Sequence, residues 1–169
     1  MTGAVRLPCD ADWIVDGQVC ALSLPTEADI GLLAEGGFTA VVTVASEEYA
    51  DPIRGWCVEH ALRHWRYYVA DMAAPEIEDV RDFVAEATQE LARGGRIAVH
   101  CLGGVGRTGT LIACYLVSQG LTADEAIERV RRRRHGSVQT RGQELCIARY
   151  AAELGRAPGR AGRLFGERE

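Results

Sequence analysis

Apolar residues along the chain recur in two rhythms, and each rhythm predicts a kind of element. Runs of strand length occupy residues 13–20, 40–44, 64–69 and 97–99. The first folds back around Asp16-Gly17, a good turn pair, and reads as a hairpin. The second and fourth are almost wholly apolar, as buried strands are. In the third, Trp65, Tyr67 and Val69 share one face. Longer segments carry helix signals. Pro25-Thr26 opens a helix that runs to about Glu35 and stops at Gly36-Gly37. Pro75 opens another, running to about Ala92 and stopped by Gly94-Gly95. Residues 110–117 form a nearly continuous apolar helix ended by Gly120. Thr122 and Glu125 make a capping box for the next, and a last helix covers residues 141–154. Residues 46–55 read as a polar loop, with a short helix following to Leu62. Helices alternating with buried strands give an α/β sandwich.

Composition narrows the picture. A chain of 169 residues, 47% hydrophobic, suits one domain with one sizeable core. The domain is expected over residues 1–154, with residues 155–169, rich in Gly, Arg and Pro, as a loosely packed tail. The net charge of -5 argues against a general nucleic-acid binder. All 19 basic residues are arginine, a coding bias more than a functional choice. The six cysteines include no C-x-x-C pair, which speaks against zinc. With no signal peptide and no apolar run of membrane length, a reduced cytoplasm is expected.

Chemistry concentrates in one stretch: His100-Cys101-Leu102-Gly103-Gly104-Val105-Gly106-Arg107-Thr108. It joins a buried strand to a buried helix. Three glycines let the loop curl and turn successive N–H groups inward. Those groups and the positive end of the helix dipole favour an anion. Arg107 adds a planar fork that can grip two phosphate oxygens. The stretch therefore predicts a phosphate dianion site with Cys101 at its floor. The same field favours the thiolate. Turning an ordinary thiol wholly into thiolate gains only about thirtyfold, roughly 2 kcal/mol. The larger share of any catalysis must come from contacts to the transferring phosphoryl group. The plain alternative is a structural cysteine in a glycine-rich turn, but packing alone does not call for this ordered set.

These residues resemble the His-Cys-x5-Arg-Ser/Thr signature of the cysteine-dependent protein phosphatases. The likeness is greatest to the small atypical dual-specificity phosphatases and the archaeal tyrosine phosphatases. It implies a three-layer α/β/α fold with a central, mostly parallel sheet flanked by helices. Tyr68-Val69-Ala70-Asp71-Met72-Ala73-Ala74-Pro75 resembles the segment that carries the general acid. Gly136-Ser137-Val138-Gln139-Thr140 with Gln143 is similar to the loop that holds the hydrolytic water. Many relatives have Pro at His135, Glu at Gln139 and an apolar residue at Arg133, so the approach to the site is expected to be more basic here.

The resemblance implies roles. Cys101 is the nucleophile, Arg107 and the backbone of Leu102, Gly103, Gly104, Val105 and Gly106 hold phosphate, and Asp71 is the general acid. His100 orients the loop, Thr108 donates a hydrogen bond to the sulfur when it becomes a leaving group, and Gln139 and Gln143 position water. As bland alternatives, Thr108 is a helix cap and the glutamines are surface or capping residues. His60, His64 and His135 read as ordinary surface or strand histidines. Residues 131–134, four arginines, read as a solvated helix end or as a steering patch for phosphorylated ligands. No cofactor or metal is implied. The expected partner is a phosphorylated protein, bound by a monomer without a membrane. Competing readings are a phosphatase of a phosphoinositide, an inositol phosphate or an RNA 5'-triphosphate, a catalytically silent phosphate-binding module, and a rhodanese-like sulfur transferase.

Overall fold

The computed structural model describes residues 5–156. Two strands, β1 (Asp12–Val15) and β2 (Val19–Leu22), form the expected hairpin. Helix α1 (Glu27–Glu35), strand β3 (Ala40–Val44) and helix α2 (Glu47–Glu59) follow. Next come β4 (Arg63–Tyr67), α3 (Ile77–Ala92) and β5 (Ile97–His100). Helices α4 (Gly106–Ser118), α5 (Ala123–Arg133) and α6 (Arg141–Glu153) complete the chain. The sheet runs β1-β2-β5-β3-β4, parallel throughout except for the β1-β2 hairpin.

Alternation along the central strands builds two cores. Val19, Ala21, Ala40, Val42, Ile97 and Val99 face a cluster completed by residues of α3 to α6. Cys20, Leu22, Val41 and Ala98 face a smaller cluster closed by Ile30 and Leu33 of α1 and Ile53 and Cys57 of α2. Because β5 is covered on both sides, every one of its residues is buried. The result is an α/β sandwich with helices on both faces of a mostly parallel sheet.

Local signals explain most boundaries. Thr26, Thr122 and Thr140 each cap a helix through a reciprocal capping box. Two expectations fail. Residues 46–55 are not a loop but most of α2. Ala50, Ile53 and Cys57 bury at helical spacing, and that apolar stripe outweighs Pro52, which sits on the exposed side. Helix α4 begins at Gly106 rather than Thr110. The glycines that suit a curled loop are therefore partly in its first turn, and so are Arg107 and Thr108. Beyond Gly155 and Arg156, the expected tail lies outside the described residues. Among the described residues no helix is long and apolar enough to cross a membrane.

Candidate active site

Register brings the site together at the carboxyl ends of three parallel strands. His100 of β5 lies beside Leu22 of β2 on one side and Thr43 of β3 on the other. Cys101 follows at once, and the chain then turns into α4. Gly104 adopts φ +70, and a Cβ there would collide with the carbonyl of Leu22. Only glycine allows the loop to pass so close. In that position the Gly104 N–H donates to Cys101 Sγ at 3.2 Å. The thiol is nearly buried, at 3% exposure.

Arg107 is buried in the first turn of α4, with its guanidinium reaching the segment after β4. Its Nη1 donates to the Val69 carbonyl at 2.9 Å, and its Nη2 to Asp71 Oδ1 at 3.1 Å. The structure thus joins Asp71, after β4, to Arg107 at the start of α4, in the same segment that follows Cys101. Asp71 stays 75% exposed at its side chain and also accepts from the N–H of Met72, which has a positive φ of 62. Tyr68 and Met72, on either side of Asp71 in the chain, are exposed, and so is Leu24. Leu24 is tied to the loop by its N–H, which donates to the Leu102 carbonyl at 2.9 Å.

His100 anchors the loop from below. Its Nδ1 is 3.0 Å from the Cys101 carbonyl, and its Nε2 is 2.7 Å from Thr43 Oγ1. Thr43 Oγ1 is also 2.8 Å from His64 Nε2. A carbonyl can only accept, so His100 Nδ1 carries the proton. His100 Nε2 then accepts from the Thr43 hydroxyl, and Thr43 accepts from His64 Nε2–H. This leaves the buried His64 Nδ1 as a lone pair without a partner, as observed. Burial holds both imidazoles neutral, with pKa pushed down to about 4 in each; the Arg107 charge adds to the effect at His100, and His100, Arg66 and Arg54 add to it at His64. His64 is therefore no ordinary strand histidine but the outer end of a hydrogen-bonded chain leading to Cys101. Spacing in the sequence could not reveal a link made across three strands.

The arginine run also needs correction. Arg131 and Arg133 are exposed, but Arg134 is buried. Its Nε donates to the Gly104 carbonyl at 2.8 Å and its Nη2 to the Gly103 carbonyl at 3.2 Å. The same guanidinium binds the Asp10 carbonyl and the carboxylates of Asp12 at 2.8 Å and Asp10 at 3.1 Å. Burial disfavours the Asp10 carboxylate, yet hydrogen bonds from Ser23 and Arg134 hold its pKa below the ordinary value. Because a trans peptide points its C=O and N–H in opposite directions, the N–H groups of Gly104 and Val105 face away from Arg134. Arg133, expected to make the approach basic, pairs with Asp16 through two contacts of 3.0 Å.

Gln143 has both ends of its side-chain amide engaged. Its Oε1 accepts from the N–H groups of Gln139 at 2.8 Å and Thr140 at 3.3 Å, and its Nε2 donates to the Ala73 carbonyl at 3.0 Å. It ties the 138–140 loop to the segment that carries Asp71. Gln139 is exposed, and its Oε1 lies so close to Gly106 that a Cβ there would strike it. Thr108 Oγ1 is buried with no hydrogen-bond partner, and the Gly104 amide donates to the Cys101 sulfur. All six cysteines are free thiols. Among the described residues, no group of three or more His, Cys, Asp or Glu could hold a metal.

A family model described as the Swiss Army Knife DSP-PTPase phosphatase domain matches residues 8–147. The chain belongs to that family. Its similarity to protein tyrosine phosphatase domain-containing protein 1 of Mus musculus is 49% identity over 92 residues. That match covers 53% of this chain but only 12% of the mouse protein, so the chain spans a small part of that relative. Among solved structures, Tk-PTP in its active form superposes with a TM-score of 0.79 at 27% identity, covering 85% of this chain and 97% of that one. PTPMT1 in complex with PI(5)P gives 0.79 at 22% identity, covering 86% and 97%, a likeness of fold. The expected phosphatase fold is thus the one adopted.

Proposed function

We propose that this phosphatase domain is a metal-independent phosphomonoesterase acting on phosphotyrosine in proteins, with phosphoserine and phosphothreonine as slower substrates. One observation carries the reading: the buried Arg107 fork holds the exposed Asp71 carboxyl against the same loop whose Gly104 amide donates to the Cys101 sulfur. An entering phosphate takes the place of Asp71 on the Arg107 guanidinium and is met by the loop amides. Cys101 attacks phosphorus in line, forming the S–P bond as the P–O bond to the substrate breaks. Asp71 gives its proton to the departing oxygen. Water beside Gln139 then attacks phosphorus, returns a proton to Asp71, and releases phosphate with the thiolate restored.

Two features favour an aryl substrate. Tyr68 and Met72, exposed on either side of Asp71 in the chain, and Leu24, bonded to the loop at Leu102, offer apolar surface to a flat leaving group. Several arginines that could greet a polyphosphorylated headgroup are already paired: Arg133 with Asp16 and Arg134 with Asp10 and Asp12, while Arg131 and Arg141 share Glu144. The test is a substrate panel of phosphotyrosine peptide, phosphoserine peptide, phosphoinositide and nucleotide. Hydrolysis should resist chelators, yield to vanadate and be lost in Cys101→Ser. The phosphotyrosine peptide should show the highest kcat/KM; a phosphoinositide ranking above it would overturn the substrate assignment.

A further inference from the structure

A second concavity lies apart from the phosphate loop. It is a groove of about 420 Å³ between the open edge of the sheet at β4 and the outer flank of α3. Trp65 and Tyr67 form its strand side, and Asp82, Ala85, Glu86 and Gln89 its helix side. Arg66 also borders it, but alternation along β4 turns that side chain to the opposite sheet face, where it comes within 4.0 Å of Glu47. Arg63, on the groove's own face of the strand, is matched by Glu90. Asp79, Asp82 and Glu86 have no ion-pair partner among the described residues. Their field is felt nearby: the Tyr67 hydroxyl is pushed up first by burial, then by Glu86, Asp82 and Asp79. The groove thus combines a half-buried indole, two unmatched carboxylates and a strand edge with unpaired backbone groups.

From this arrangement we infer that the groove is a docking site for a basic side chain of the phosphorylated protein substrate, carried on an extended segment along β4. An arginine or lysine would lie over Trp65 and between Asp82 and Glu86. The inference rests on the reading of the chain as a protein phosphatase. Distance makes the two sites compatible. Arg66 pairs with Thr43, and Thr43 with His100, so β4 stands two strands from the nucleophile. A segment added at the edge lies about 14 Å from β5, three interstrand steps. Extended chain covers about 3.3 Å per residue, which places the basic residue about four or five positions from the phosphorylated one.

The test uses two phosphotyrosine peptides that differ only in Arg or Gly at those positions, with p-nitrophenyl phosphate as a substrate too small to reach the groove. The wild-type protein should show a KM about fivefold lower for the Arg peptide, the size of one exposed cation–π contact joined to one ion pair, with kcat unchanged. Asp82→Asn combined with Glu86→Gln should cut the difference to about twofold, the cation–π part alone, and Ala85→Arg, which sets a like charge in the groove, should erase it. Neither variant should alter turnover of p-nitrophenyl phosphate. Equal KM values for the two peptides, or a preference that survives both variants, would overturn the inference. If no phosphate ester is hydrolysed at all, the proposed function fails separately. The groove is then judged by the Trp65 indole N–H resonance, which an unphosphorylated Arg peptide should shift and which must stay silent if no docking occurs.

Discussion

The phosphate loop and the acid segment are built in opposite ways, although both meet at Arg107. In the loop, almost every carbonyl is tied down. Leu102 receives Leu24 N–H, Gly103 and Gly104 receive Arg134, and Val105 receives the N–H groups of Val138 and Gly109. Cys101 receives His100. The acid segment has fewer restraints. Asp71 is mostly exposed and is held by Arg107 and its own neighbour Met72, while Gln143 pins Ala73. The contrast matches what the proposed mechanism asks of each part. Donors that stabilise transferring charge act best when fixed beforehand, because no reorganisation is then needed. A group that must release Arg107, give up a proton and take one back has to move.

Substitutions on either side of this divide should behave differently. The largest effect is expected for Asp71→Asn, with kcat falling about a hundredfold to ten-thousandfold while vanadate affinity is kept or improved. Steady-state kinetics and vanadate titration check both halves; an unchanged kcat removes Asp71 from the acid role. Arg134→Ala attacks the fixed side. It frees two loop carbonyls and leaves Asp10 and Asp12 without their guanidinium, so stability should fall by roughly 2–3 kcal/mol. Phosphate and vanadate affinity should fall with it, and Arg134→Lys should recover stability better than anion binding, because an ammonium cannot reproduce the fork. Chemical denaturation and vanadate titration separate the two.

A smaller effect concerns pH. His64 and His100 titrate near 4 in the folded protein, below the usual histidine value of about 6.5. Between those values the unfolded chain binds protons that the folded chain refuses, so stability rises with pH across this window and is lost as pH falls through it. Thermal unfolding from pH 7 to pH 4 should show this loss. His64→Gln, which keeps a donor toward Thr43, should shrink it. An identical acid response in His64→Gln would show that this imidazole is not held neutral by the fold.

Much of this division was legible in the sequence. The strand at β5, the glycines, Arg107 and the capping threonines are local signals, and each acts within a few residues of itself. Asp71 became visible only through a resemblance, because nothing in its own neighbourhood says that Arg107 lies beside it. Arg134 was misread for the same kind of reason. In sequence it closes a run of four arginines, and only the fold places the Gly103 and Gly104 carbonyls, Asp10 and Asp12 around it. His64 needed strand order, since its bond to Thr43 and onward to His100 crosses from β4 to β5. Helix α2 was hidden by Pro52 and by polar residues on its exposed face. Local chemistry sets the elements, and register decides which of them touch.

The account stands on covalent chemistry at one sulfur. Rapid acid quench during turnover of an aryl phosphate, followed by mass spectrometry of the Cys101 peptide, measures it directly. The prediction is a single phosphoryl group on Cys101, enriched in Gln139→Ala, where the second step is slowed, and absent from Cys101→Ser. Continued hydrolysis with no phosphorylated Cys101, or turnover that persists in Cys101→Ser, would contradict it.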